Sequence, residues 1–333
     1  MTQLELADPV RTPEKKFGRE RLAGFAQSYG AAIVLAIMLV IGSIVFPAFP
    51  TATNFSNIAT QSSFLLIIAA GMTMVILTGG IDLSVGSVFA LGGVLAAYGS
   101  SAFGLLGGLL LPLLVCGAIG ALQGLLVAYA RMAPFIVTLA GLLGVRGVVL
   151  AITNGGKDTP LIDDAAFVAI GQGGFLGIHW TVVIAVALIV IGSVLLSRLS
   201  GAQGLLAIGG SENAASLMGL PVNRTKFSVY LISGLCAGFA GALNASYSSS
   251  GVPTVGVGLE LTIISAVVIG GTLLTGGKGN LIGTTAGVLL LGVIQNFINQ
   301  VGSLSSSIQA LVSGGFLAIV VIIQTILART QRI

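Results

Sequence analysis

Three ionisable residues stand within or at the edge of long apolar stretches: Asp82, Arg146 and Glu260. A charge removed from water is costly, so each is a functional candidate by default. Each also has a structural reading. Asp82 follows the turn at Gly79-Gly80 and precedes Ser84 and a new apolar run, which suits a helix N-cap. A gate or a partner contact is its other reading. Arg146, between Gly144 and Gly147, is expected to bond backbone carbonyls or face water, with a substrate contact as the alternative. Glu260 opens an apolar run, where an acid meets the positive end of a helix. No two acids pair within these runs, and His179 is the single histidine. That removes His-based zinc sites and Ser–His hydrolases, and no metal site or catalytic residue is expected. Cys116 and Cys236 lie in apolar runs and read as buried thiols.

Phosphate chemistry fails too. A P-loop needs Gly, four residues, then Gly-Lys-Ser/Thr. Around Lys278 the first glycine is Thr272 and the hydroxyl position is Gly279. The chain is therefore expected to bind no nucleotide by this route. The segment 198–226 is more informative. Ser211 suits an N-cap and Glu212 a first turn; Asn213, Ala214 and Ala215 follow; Gly219 is a stop, with Pro221 beyond it. The spacing predicts a helix of about two turns, marginal alone in water and dependent on docking. It packs on its own bundle or seats in a partner.

The elements that carry these residues follow from composition. Of 333 residues, 55% are hydrophobic and only 7% charged, and mean hydropathy is +1.08. A soluble domain carries about 25% charged residues. A soluble enzyme, a nucleic-acid binder and a disulfide scaffold are excluded, and the net charge of +4 does not signal nucleic acid. The expected class is an all-α polytopic membrane protein, with lipid around it. A core about 30 Å thick needs ~20 apolar residues per helix. Ten runs qualify: 29–47, 57–78, 84–100, 104–129, 135–153, 179–197, 227–248, 260–276, 280–301 and 306–327. The third and eighth are short and invite broken or re-entrant helices. Residues 1–27 form a polar tail, 28–328 the membrane domain with 198–226 as its large loop, and 329–333 the C-terminal end. The run from Tyr29 to Phe46 reads as an uncleaved span rather than a signal peptide.

Placing the N-terminus in the cytoplasm puts twelve basic residues on that side and only Lys157 outside. This satisfies the positive-inside rule and returns both termini to the cytoplasm. Glycines run through the spans, as in Gly234-x-x-x-Gly238, and imply close helix packing. A weak echo links Leu77-Thr78-Gly79-Gly80 and its Gly86-Ser87 to Leu274-Thr275-Gly276-Gly277 and its Gly283-Thr284. It reads as a trace of duplication or as chance.

Glu212-x-Ala214-Ala215-x-x-x-Gly219 resembles the loop by which ABC importer permeases contact their ATPase, although Asn213 replaces an alanine. Three further segments resemble the ribose-type monosaccharide ABC permeases: residues 71–87, 207–212, and 266–272 with Gly276-Gly277-Lys278-Gly279. The resemblance runs from about residue 50 to 325. Residues 136–141 and 267–274 look most like the galactofuranose branch. The resemblance implies an ABC importer permease fold in a bacterial inner membrane. It implies a second permease chain, identical or different, a periplasmic sugar-binding protein, and a cytoplasmic ABC ATPase that carries the ATP and Mg. Ser211, Glu212, Asn213, Ala214, Ala215 and Gly219 would couple to that ATPase. Gly79, Gly80, Asp82 and Ser84 would form a gate or turn.

A sugar is neutral and hydroxylated, so its path calls for uncharged polar groups. The candidates are Gln61, Ser62, Thr73, Asn244, Ser246, Tyr247, Gln295, Asn296 and Asn299. Each also reads as an interhelical hydrogen bond. The other transport reading is a stand-alone ion-coupled carrier of a small polar solute. The scarcity of buried ionisable groups counts against it.

Overall fold

The computed structural model describes residues 16–198 and 200–301, with Ile308, Leu311, Gly314 and Gly315 beyond them. The helices in chain order are α1 (Lys16–Val45), α2 (Ala52–Leu77), α3 (Val85–Ala128), α4 (Pro134–Ile152) and α5 (Ala165–Gln172). After these come α6 (Trp180–Arg198), α7 (Ser200–Gly210), α8 (Glu212–Leu217), α9 (Val222–Ser248), α10 (Leu259–Ile269) and α11 (Leu281–Val301). A two-residue hairpin, β1 (Gly174–Phe175) and β2 (Ile178–His179), sits between α5 and α6. Among the described residues, six helices are long and apolar enough to cross a membrane: α2, α3, α4, α6, α9 and α11. Apart from Ile308, Leu311, Gly314 and Gly315, the expected run 306–327 lies outside the described residues.

The 44-residue α3 is two helices. Phe103 and Gly104 leave helical geometry, Gly104 with φ +59°. The chain reverses there, because Cys116 Sγ reaches Val88 O at 3.6 Å and Ser84 Oγ reaches Gln123 Oε1 at 3.2 Å. Residues 85–102 and 105–128 are thus the two limbs of a hairpin, in agreement with the separate runs read at 84–100 and 104–129. Helix α9 lies against both limbs. A Cβ on Gly120 would collide with Tyr230 O, and one on Gly92 with Gly238 O. Small residues let these backbones touch, which replaces the hydrophobic drive that lipid removes.

The run expected at 260–276 is corrected. Helix α10 stops at Ile269, after 11 residues, because the turn at Gly270-Gly271 ends it; Gly271 has φ +92°. At 1.5 Å per residue it spans roughly 16 Å, about half the core. The segment that leads into it is irregular and runs back along α3. Gly251 N donates to Pro160 O at 2.8 Å at one end, where Gly251 also packs on Val94. Gly256 meets Gly86 at the other end. Glu260 therefore lies beside Gly86, near the start of α3, rather than at the level where α9 ends.

Candidate functional site

Helix α8 is built by local signals. Ser211 Oγ accepts from Ala214 N at 3.3 Å as the N-cap. At the other end Gly219 takes φ +79°, its N–H donates to Ser216 O at 3.0 Å, and Leu220 N donates to Ala215 O at 3.1 Å. This is a Schellman cap, and the left-handed residue calls for glycine. Ala215 is fully buried and clusters with Ile208, Val222 and Leu220. Glu212 Oε2 accepts from Lys226 Nζ at 2.6 Å, which ties α8 to α9. One face is thus docked on the chain itself. The other carries Asn213, Ala214, Leu217 and Met218, and Leu217 is 90% exposed and Met218 69%.

Immediately before Ser211, three glycine pairs meet. Gly277 N donates to Leu77 O at 3.0 Å. A Cβ on Gly209 would collide with Leu77 O and Gly277 N, and one on Gly276 would lie 2.7 Å from Gly79 N. The two Leu-Thr-Gly-Gly turns read as an echo therefore touch each other, and the end of α7 is wedged against both.

Asp82 is buried, at 1% exposure. Its Oδ1 accepts from Ser84 N at 2.9 Å and Ser84 Oγ at 2.6 Å, and its Oδ2 accepts from Ser233 Oγ at 2.7 Å. Burial pushes its carboxyl up from the ordinary value, opposed by the bonds from Ser84 and Ser233. The N-cap of α3 is Ser84, so Asp82 braces the turn and fastens it to α9 from two residues further back. Gly80 leaves room beside the turn for the hydroxyl of Tyr230. Arg146 Nη1 donates to Pro253 O and Val255 O, both at 3.0 Å, and Nη2 lies 3.5 Å from Gly86 O. The expected carbonyl contacts are present, and they hold the irregular segment ahead of α10.

The path candidates divide. Gln61, Ser62, Gln295, Asn296 and Asn299 line one cavity of ≈ 310 Å³ between α2 and α11. Asn57 lines it too, and Asn54 exchanges side-chain bonds of 3.3 and 2.7 Å with Asn296. Both were missed in the sequence, although Asn54, Asn57 and Gln61 share one helical face, and that stripe was the available signal. The remaining candidates lie elsewhere. Thr73 is buried and bonds Thr284 Oγ1 at 2.9 Å between α2 and α11. Ser246 accepts from Gly171 N at 2.8 Å and fastens α5 to α9. Tyr247 packs its ring 5.9 Å from Phe64 and 5.8 Å from His179, and Asn244 is half-buried on α9. None of these four lines the cavity.

A family model described as "Branched-chain amino acid transport system / permease component" matches residues 54–323. The ribose import permease protein RbsC of Bacillus subtilis is 40% identical over 97% of this chain and 98% of its own length. The inner membrane ABC transporter permease protein YjfF of Escherichia coli is 42% identical over 82% and 86%. The L-arabinose ABC transporter permease protein AraH of Azospirillum brasilense is 36% identical over 88% and 86%. No solved structure matches. The helical bundle and matches of this coverage agree: the chain belongs to the branched-chain amino acid transport system / permease component family, among its ribose-type ABC importer permeases, and is a non-catalytic membrane transport subunit.

Proposed function

We propose that this chain moves a monosaccharide, such as ribose, L-arabinose or galactofuranose, across the bacterial inner membrane by alternating access. A separate cytoplasmic ATPase, which carries the ATP and Mg, drives it. A periplasmic binding protein delivers the sugar, and a second permease chain, identical or different, completes the path. The chain crosses ten times with both termini in the cytoplasm, the irregular segment 251–258 and the short α10 together making one of the crossings. The charge bias along the sequence supports that orientation, and the reversal at Phe103-Gly104 supports counting α3 as two crossings.

The observation that carries the coupling assignment is the free face of α8. Leu217 and Met218 project two large apolar side chains from a helix that is otherwise capped, ion-paired and docked. A six-residue helix cannot hold itself in water. Its bracing gives a firm knob for a groove on the ATPase. Closure of the ATPase would push α8, and the glycine contacts at Gly209 lead from it to the turns that end α2 and precede α11.

The test is co-purification and coupled uptake with Leu217→Asp and Gly219→Val. Leu217→Asp removes an apolar anchor at no cost to the exposed fold. Gly219→Val puts a β-branched residue at positive φ, a strain of roughly 1–2 kcal/mol. The expected result is loss of the ATPase or of ATP-driven uptake with normal insertion. Normal transport in both would sink the coupling assignment. Uptake that survives ATP depletion and collapses with the ion gradient would sink the ABC reading.

A further inference from the structure

We propose that the cavity between α2 and α11 is a binding subsite for the hydroxyls of a neutral polyhydroxylated solute. The proposal rests on the importer reading above and gives it a place. Asn57, Gln61 and Ser62 line the cavity from α2, and Gln295, Asn296 and Asn299 from α11. All six are uncharged, and among the described residues no ionisable side chain lines it. Amides and hydroxyls present both donors and acceptors, as a sugar hydroxyl does. A charged solute would find no counter-charge here, and an apolar one would leave the amides unpaired.

Two details indicate a built site. Ser62 is 1% exposed, yet its hydroxyl has no partner among the described residues. Buried hydroxyls are normally bonded, so an orphan in a cavity wall marks an unfilled contact. Gly292 stands opposite it, and a Cβ there would lie only 2.5 Å from Ser62 Oγ. The glycine makes room for that hydroxyl against α11. Asn57 and Gln61 are also exposed on a helix that would otherwise meet lipid. A bare amide in hydrocarbon is costly, so this face calls for a wet neighbour.

The experiment uses the assembled transporter in proteoliposomes with internal ATP, with D-ribose, L-arabinose and leucine as probes. Gln61→Leu and Asn57→Leu remove the polar ends at exposed positions, where folding is spared. Loss of one solute hydrogen bond predicts an about tenfold fall in sugar uptake at limiting concentration, with ATPase co-purification unchanged. A Gln61→Cys variant should react with a maleimide more slowly when sugar is present. Cys116 and Cys236, buried and half-buried, set the background. Sugar uptake unaffected by either leucine variant, with no protection of Gln61→Cys, would overturn the subsite and leave the importer standing. A wild type that accumulates leucine and neither sugar would overturn the sugar reading and the subsite with it.

Discussion

Asp82 shows how one buried carboxylate can organise a turn. Its partners are Ser84 in the same loop and Ser233 on α9. Asp82→Ala would strand the Ser84 N–H and the Ser233 hydroxyl in the interior, at about 1–3 kcal/mol for each group left unpaired. The expected outcome is a lower melting temperature of the purified permease in detergent. Asp82→Asn keeps a carbonyl acceptor and should lose less. Arg146 offers a second test. Its guanidinium serves two carbonyls from a single nitrogen and lies near a third. A lysine is a point charge without that fork. Arg146→Lys should therefore speed amide exchange across residues 253–258, and unchanged protection there would refute the clamp. The carbonyl role of Arg146 was legible in the sequence, because a lone guanidinium in an apolar run has few other partners. Ser233 as partner to Asp82 was not. It lies 151 residues away and has no charge to give it notice.

The short helix at α8 was legible because every signal for it is local: a serine cap, an acid in the first turn, a glycine stop and a proline beyond. The length of α10 was not, because the apolar run continues to Leu274 and only the turn at Gly270-Gly271 ends the helix. The contact between the two Leu-Thr-Gly-Gly turns was equally hidden, since resemblance between segments says nothing of where they meet. That contact makes a prediction at the level of elements. Gly209→Val places a side chain where Leu77 O and Gly277 N already sit. It should force the turns apart and cut uptake well below wild type, while ATPase still co-purifies through the untouched face of α8. Gly144→Val, exposed and with nothing near its added side chain, is the control and should transport normally.

The orientation proposed for the whole chain rests on its charges, because basic residues resist translocation and collect on one side. The convergence of five of nine path candidates on one cavity was not legible in the sequence. It depends on α2 and α11 crossing antiparallel, with Thr73 beside Thr284 at one end and Asn54 beside Asn296 at the other. Orientation has a direct test. Asn213→Cys, exposed on α8, should react with a membrane-impermeant maleimide only in inverted vesicles, and Thr159→Cys, exposed near Lys157, only in right-side-out cells. Labelling with the sides reversed would invert the topology.

The glycine contacts also bear on how such a gene can drift. Every missense change of a glycine codon adds at least a Cβ. At Gly92, Gly120, Gly209 and Gly283 that atom would land on a backbone carbonyl oxygen of a neighbouring segment. A backbone cannot swing aside as a side chain can. The exposed Leu143, Val186 and Val190 face no such constraint and can exchange among aliphatic residues. Inherited damage to this transporter should therefore concentrate where the chain has no side chain at all.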